Sequence, residues 1–167
     1  RSVPDELLLG ETAVDIAFQA GDGVAVQITS DLEGLAVGLP EPFAKVAQDP
    51  SPMNIDLAIS ESLSATINYA DILAAKVSRD TTQAWRAAVS IGSDHEPWLT
   101  PDTAAGTVDI SGHLVEIDAL AWSQLAGALS GSADFAGPSV VWRNVSTDAL
   151  RFGDTALGAF RSSGRYQ

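Results

Sequence analysis

Met53-Asn-Ile-Asp-Leu-Ala-Ile-Ser-Glu-Ser-Leu-Ser-Ala-Thr-Ile-Asn-Tyr69 is the stretch that decides the fold. Met53, Ile55, Leu57 and Ile59 alternate with Asn54, Asp56, Ala58 and Ser60. After Glu61, Leu63, Ala65, Ile67 and Tyr69 alternate with Ser64, Thr66 and Asn68. Successive side chains of a strand point to opposite faces, so each half reads as a ribbon apolar on one side and polar on the other. The rhythm continues upstream, where Val24, Val26 and Ile28 alternate with Ala25, Gln27 and Thr29, and where Val14, Ile16 and Phe18 repeat it. A sheet of such ribbons has one apolar face that needs a cover.

Outward from this stretch, strands are expected at 7–19, 24–30 and 32–39. The turn Ala20-Gly21-Asp22-Gly23 joins the first two, its glycines expected to supply positive φ. Pro40-Glu41-Pro42 ends strand pairing, and Pro42 at a first helical position predicts a helical turn over 42–48. Residues 49–52 read as loop. Strands at 53–60, 62–69, 72–78 and 83–91 have short polar connectors, as in an antiparallel meander. Ser93 to Ala105, with Pro97 and Pro101, lacks periodicity and reads as a longer loop before a strand at 106–115. The rhythm breaks at Asp118. Leu120, Trp122, Leu125, Ala126 and Leu129 fall at helical spacing behind an aspartate suited to cap free amides, which predicts a helix over 118–129. A loop at 130–138 precedes strands at 139–152 and 155–166, joined by the turn residues Phe152-Gly153-Asp154-Thr155. The expectation is one β-rich domain over 1–167, mainly β, with an antiparallel, curved or partly rolled sheet of about nine or ten short strands. One amphipathic helix packs on its apolar face or at the end of it.

The chain has 167 residues, 46 % of them apolar, and 22 acidic against 9 basic residues for a net charge of -13. That balance argues against nucleic acid, whose phosphates require clustered Lys and Arg, and against electrostatic docking on anionic headgroups. No cysteine is present, which removes disulfides, thiolate metal sites and cysteine nucleophiles. No apolar run approaches the roughly 20 residues that cross a bilayer. The chain opens on Arg1 with no signal-peptide pattern and reads as an excised fragment, a form in which a targeting segment can have been cut away.

Reactive chemistry is sparse. His95, in Ser93-Asp94-His95-Glu96, has no second histidine at zinc spacing and reads as solvated loop. His113, at the end of its expected strand, reads as a surface or rim residue. Gly127-Ala-Leu-Ser-Gly131 is off register for a serine elbow, and no glycine-rich loop cradles phosphate. Asn144-Val145-Ser146 fits a glycosylation triplet that also arises by chance. No catalytic residue, metal or cofactor is therefore expected. Trp85, Trp122 and Trp142 suit a core or a helix-on-sheet contact, while Trp98 suits either packing or an exposed aromatic contact.

Residues 30–45 read Ser-Asp-Leu-Glu-Gly-Leu-Ala-Val-Gly-Leu-Pro-Glu-Pro-Phe-Ala-Lys. This resembles a segment of the bacterial YhdP-type proteins, relatives of the AsmA and TamB envelope proteins. The family's strand S-D-L-x-G-L-x-h-x-L-P, running into P-x-x-K, is matched by Ser30, Asp31, Leu32, Gly34, Leu35, Val37, Leu39, Pro40, Pro42 and Lys45. Pro52 to Ile59, Gly112 to Trp122 and Leu150 to Leu157 are similar to later segments in the same order. The resemblance implies a non-catalytic piece of a periplasmic bridge whose parent is anchored in the inner membrane, with the anchor outside this fragment. It implies partners in phospholipid acyl chains and in adjoining β segments of the parent chain. It implies transport of phospholipid towards the outer membrane along an apolar groove.

The candidate groove lining is Val24, Val26, Ile28, Leu35, Val37, Met53, Ile55, Leu57, Ile59, Leu63 and Ile67. The pattern alone leaves open whether these residues line an open groove or fill a closed core. An interaction domain closed on itself, and a glycan-binding β module using Trp98 and the acidic loops, are the other readings.

Overall fold

The alternating ribbons assemble into one broad sheet. The computed structural model describes residues 7–92, 104–129 and 139–166. The strands are β1 (Leu8–Gly10), β2 (Asp15–Ala20), β3 (Val24–Ser30), β4 (Leu35–Val37), β5 (Met53–Ile59), β6 (Leu63–Tyr69), β7 (Leu73–Arg79), β8 (Trp85–Ile91), β9 (Thr107–Asp118), β10 (Ser139–Phe152) and β11 (Thr155–Tyr166). The helix α1 spans Ala119–Leu129. Nine strands form the main sheet in the order β11-β10-β9-β8-β7-β6-β5-β3-β2, and β1 pairs with β4 apart from it. The fold is mainly β with one helix, and the sheet is open rather than closed or strongly curled.

From β2 to β8 all pairings are antiparallel, the expected meander. The sheet is nevertheless mixed, because β9 runs parallel to both β8 and β10. Parallel neighbours need a crossover, and α1 supplies the one between β9 and β10. Asp118 caps α1 as expected: its Oδ1 accepts from Leu120 N (2.9 Å) and Ala121 N (3.3 Å). The same oxygen accepts from Gly153 N (3.2 Å), which ties the helix start to the β10–β11 turn.

Four expectations need correction. The run 7–19 is two strands: β1 leaves the main sheet to pair with β4, so Leu35 and Val37 lie outside the main sheet. No helical turn forms at 42–48, because Lys45 and Val37 exchange two backbone hydrogen bonds (3.0 and 2.8 Å) in an isolated bridge. β9 continues to Asp118, which leaves His113 mid-strand. The Gly21–Gly23 turn closes by Gly21 N–H donating to Gly23 O (2.9 Å), and neither glycine adopts positive φ. Gly23 is needed for room instead: a Cβ there would sit 2.6 Å from Ile59 O. Residues 93–103 of the loop expected over 93–105, with His95 and Trp98, the loop expected over 130–138, and the side chains of Ala126 and Leu129 lie outside the described residues.

Candidate functional site: an apolar sheet face capped at one end

Residues opposite one another in a ladder share a face, so the register gives the composition of each side. One row runs Phe18, Val26, Leu57, Ala65, Val77, Ala87, Val108, Val140 and Tyr166. The next runs Ile16, Ile28, Ile55, Ile67, Ala75, Val89, Ile110 and Trp142. A third row runs Ala20, Val24, Ile59, Leu63, the exposed Arg79 and Trp85, and a fourth runs Ser30, Met53, Tyr69, Leu73, Ile91 and Gly112. Nine of the eleven sequence-predicted lining residues therefore share one face: Val24, Val26, Ile28, Met53, Ile55, Leu57, Ile59, Leu63 and Ile67.

None of the eleven is buried. Val24 and Ile59 are exposed, as are Ile16 and Phe18 at the sheet edge. The buried residues in the middle of this face are Ala65, Ala75 and Ala87. Their short side chains, set among Ile, Leu and Val, lower the floor of the face along β6 to β8. Across the seven strands from β2 to β9, and about 20 Å along them, the face covers roughly 600 Å² in projection. Contiguous apolar patches of that size are at the upper limit of what monomers leave in water.

The other face is polar. Gln27 Nε2 donates to Asp56 Oδ1 (3.1 Å), Asn54 Nδ2 donates to Asp56 Oδ2 (2.5 Å), and Arg143 Nε pairs with Asp109 (2.8 Å). It is not solvated throughout, since Ala88, Ser90, Thr107 and Val141 are buried along β8 to β10.

One end of the apolar face is capped by the 30–46 segment and α1. Leu32 and Phe43 are buried, and the Phe43 ring meets Trp122 edge-on with centroids 5.7 Å apart. An apolar cleft of about 380 Å³ lies between this cap and the sheet, lined by Leu39, Phe43, Leu73, Ile91, Leu114, Ile117, Trp122 and Val145. The motif residues build the cap. Ser30 Oγ accepts from Leu32 N (3.0 Å), and Asp31 Oδ1 accepts from Glu33 N (3.0 Å), a local turn that reverses the chain. Gly34, at φ 93°, follows it. Lys45 is buried, and its Nζ donates to the carbonyls of Leu32 (2.8 Å), Leu35 (2.8 Å) and Val46 (3.1 Å). The ammonium thus holds both limbs of the segment together.

A second cleft of about 370 Å³ adjoins the first through Ile91 and Leu114, and Glu41, Asp71, His113, Glu116 and Asp118 line it. Among the described residues, no group of three or more His, Asp and Glu is placed to hold a metal. Asp118 is held below the usual carboxylate range, first by Gly153 N–H and then by the two helix amides.

The register also gathers a constellation that the sequence reading missed. His113 Nδ1 lies 3.1 Å from Ser146 Oγ, and its Nε2 lies 3.3 Å from Asp148 Oδ2. These are the residue types of a serine triad, but Asp148 is 72 % exposed. A carboxylate that orients a catalytic imidazole is buried, whereas water screens this one. His113 itself is 44 % exposed and lines the acidic cleft from the middle of β9, not from a strand end. Trp142 donates from Nε1 to Ser162 Oγ (3.1 Å). No helix among the described residues is long and apolar enough to cross a membrane. No family model matches the chain, and no curated protein or solved structure matches it.

Proposed function

We propose that the apolar face is the working surface, and that it carries the acyl chains of phospholipid as a non-catalytic segment of an envelope-spanning, periplasmic bridge. One observation carries this reading. The alternation builds a face of roughly 600 Å², yet none of its nine sequence-predicted lining residues is buried. Acyl chains laid along half of that area, roughly 300 Å², would gain about 7 kcal/mol from lost apolar hydration, before the costs of association. Such binding needs no polar contact and fits a face without polar side chains in its central rows. The cap gives the face two unlike ends: Phe43 and Trp122 cover the Leu73–Ile91 end, while at the other Val24 and Ile59 are exposed among the described residues. The resemblance of residues 30–45 to YhdP-type proteins supports the same reading, because those residues build the cap.

Native mass spectrometry of the chain purified from bacteria, with lipid extraction, tests the proposal. Co-purified phospholipid, and displacement of a bound apolar fluorescent probe by added phospholipid, are the expected results. A chain that carries no lipid and leaves the probe dark would overturn it.

A further inference from the structure

The two edges of the open sheet carry opposite, unpaired charge. At one edge β11 presents Arg161 and Arg165 and no acid, with Asp154 in the turn before it. At the other, the β2–β3 hairpin presents Asp15 and Asp22 and no base. None of these four takes part in an ion pair among the described residues. All six residues of β2 are exposed, as is nearly all of β11. No strand among the described residues pairs with the outer side of either.

The faces match as well as the charges. Arg165 stands in the row that crosses the polar face through Val141, Asp109, Asp56 and Gln27 to Ala17, two residues from Asp15. The neighbouring apolar row ends on an exposed aromatic at each edge, Phe18 at 73 % and Tyr166 at 70 %. A strand added so that apolar faces are flush therefore brings Asp15 of one copy alongside Arg161 and Arg165 of the next, with Asp22 in the adjoining turn.

We propose that this chain associates with a second copy of itself by adding the β2 edge of one copy to the β11 edge of the next. The contact continues the sheet head to tail, with backbone hydrogen bonds as its main component and charge as its selector. Joining two β11 edges sets arginines against arginines, and joining two β2 edges sets aspartates against aspartates, which disfavours both. The β2–β11 contact is heterologous, so it propagates instead of closing, and it lengthens the apolar face with each copy added. This inference stands on topology and charge and is independent of what the apolar face binds.

Sedimentation velocity of the lipid-free 167-residue chain, at about 0.15 M salt so that the long-range repulsion between acidic copies is screened, tests it. The expected result is a sedimentation coefficient that rises with concentration. Arg161→Glu with Arg165→Glu, or Asp15→Arg with Asp22→Arg, should each weaken association about tenfold or more. An equimolar mixture of the two double variants should restore it, since it recreates both complementary edges at the total charge of two wild-type copies. Circular dichroism of each variant confirms a retained fold. A wild-type chain monomeric at all concentrations would overturn the proposal. So would association indifferent to the charge reversals, which would point to contact through the apolar faces, or a mixture that fails to recover.

Discussion

Replacing Lys45 by Met should loosen the cap and lower stability by about 2–4 kcal/mol. The side chain is 7 % exposed, and its ammonium donates to three carbonyls at 2.8, 2.8 and 3.1 Å. Hydrogen bonds to a charged group are each worth about 1.5–3 kcal/mol, so the lost contacts alone set an upper bound of roughly 9 kcal/mol. Two terms reduce it. Leu32 O keeps a donor in Leu35 N (3.2 Å), and Val46 O keeps one in Asp49 N (3.2 Å). Methionine also removes the cost of holding away from water an ammonium that has no ion-pair partner among the described residues, a penalty of several kcal/mol. What remains is concentrated in residues 30–47, whose two limbs lose their common tie. Urea unfolding followed by tryptophan fluorescence gives the total, and Trp122 reports on the cap through Phe43. Amide exchange should quicken at Gly34, whose N–H donates to Ala47 O (2.7 Å), before it quickens in the sheet. Unchanged or increased stability in Lys45→Met would show the ammonium to be an accommodated burden and not the tie.

Asp118 gives a pH signature: its folded-state pKa is depressed by Gly153 N–H and the helix amides, so its contribution is complete above the unfolded value and is lost as pH falls through the folded one. Stability measured across the acid range should fall less steeply in Asp118→Asn than in the wild type. Gly112 sits at φ 129°, where a Cβ would lie 2.0 Å from Ile91 O, so Gly112→Ala should strain the parallel β8–β9 junction and cost about 3 kcal/mol in denaturant unfolding. Ile55→Asp places a charge in the middle of the apolar face, still within reach of water, and should abolish binding of an apolar probe while circular dichroism stays native. Asp56→Asn, on the opposite face, should leave probe binding unchanged.

Periodicity made the strands and the shared face legible. Met53 to Tyr69 and Val24 to Ile28 alternate strictly, and in the observed register their apolar residues stand opposite one another on one face. Asp118 marked the helix because a carboxylate before a 3.6-residue pattern has few other local uses. Alternation says which face a side chain takes, but it carries no information about which sheet a strand joins. Leu35 and Val37 alternate correctly and still pair with β1. Strand direction is equally invisible to the pattern, so the parallel placement of β9 emerged only with the crossover through α1. Local preference also lost to pairing at Pro42, where a turn suited to a helix start was overridden by the Val37–Lys45 bridge. The meeting of His113 with Ser146 and Asp148 depends on cross-strand register and on a bulge in β10, neither of which single-chain spacing encodes. The role of Lys45 was visible only as a motif position, because its partners are backbone carbonyls.

On the proposed function, the alternating face meets acyl chains and the opposite face does not. A photoactivatable residue placed at Leu57, and separately at Asp56, tests it in a strand where the two side chains point to opposite faces. Illumination in cells followed by mass analysis should yield a phospholipid adduct at position 57 and none at 56. Equal labelling at both positions, or no lipid adduct at 57 in a folded protein, would contradict the account.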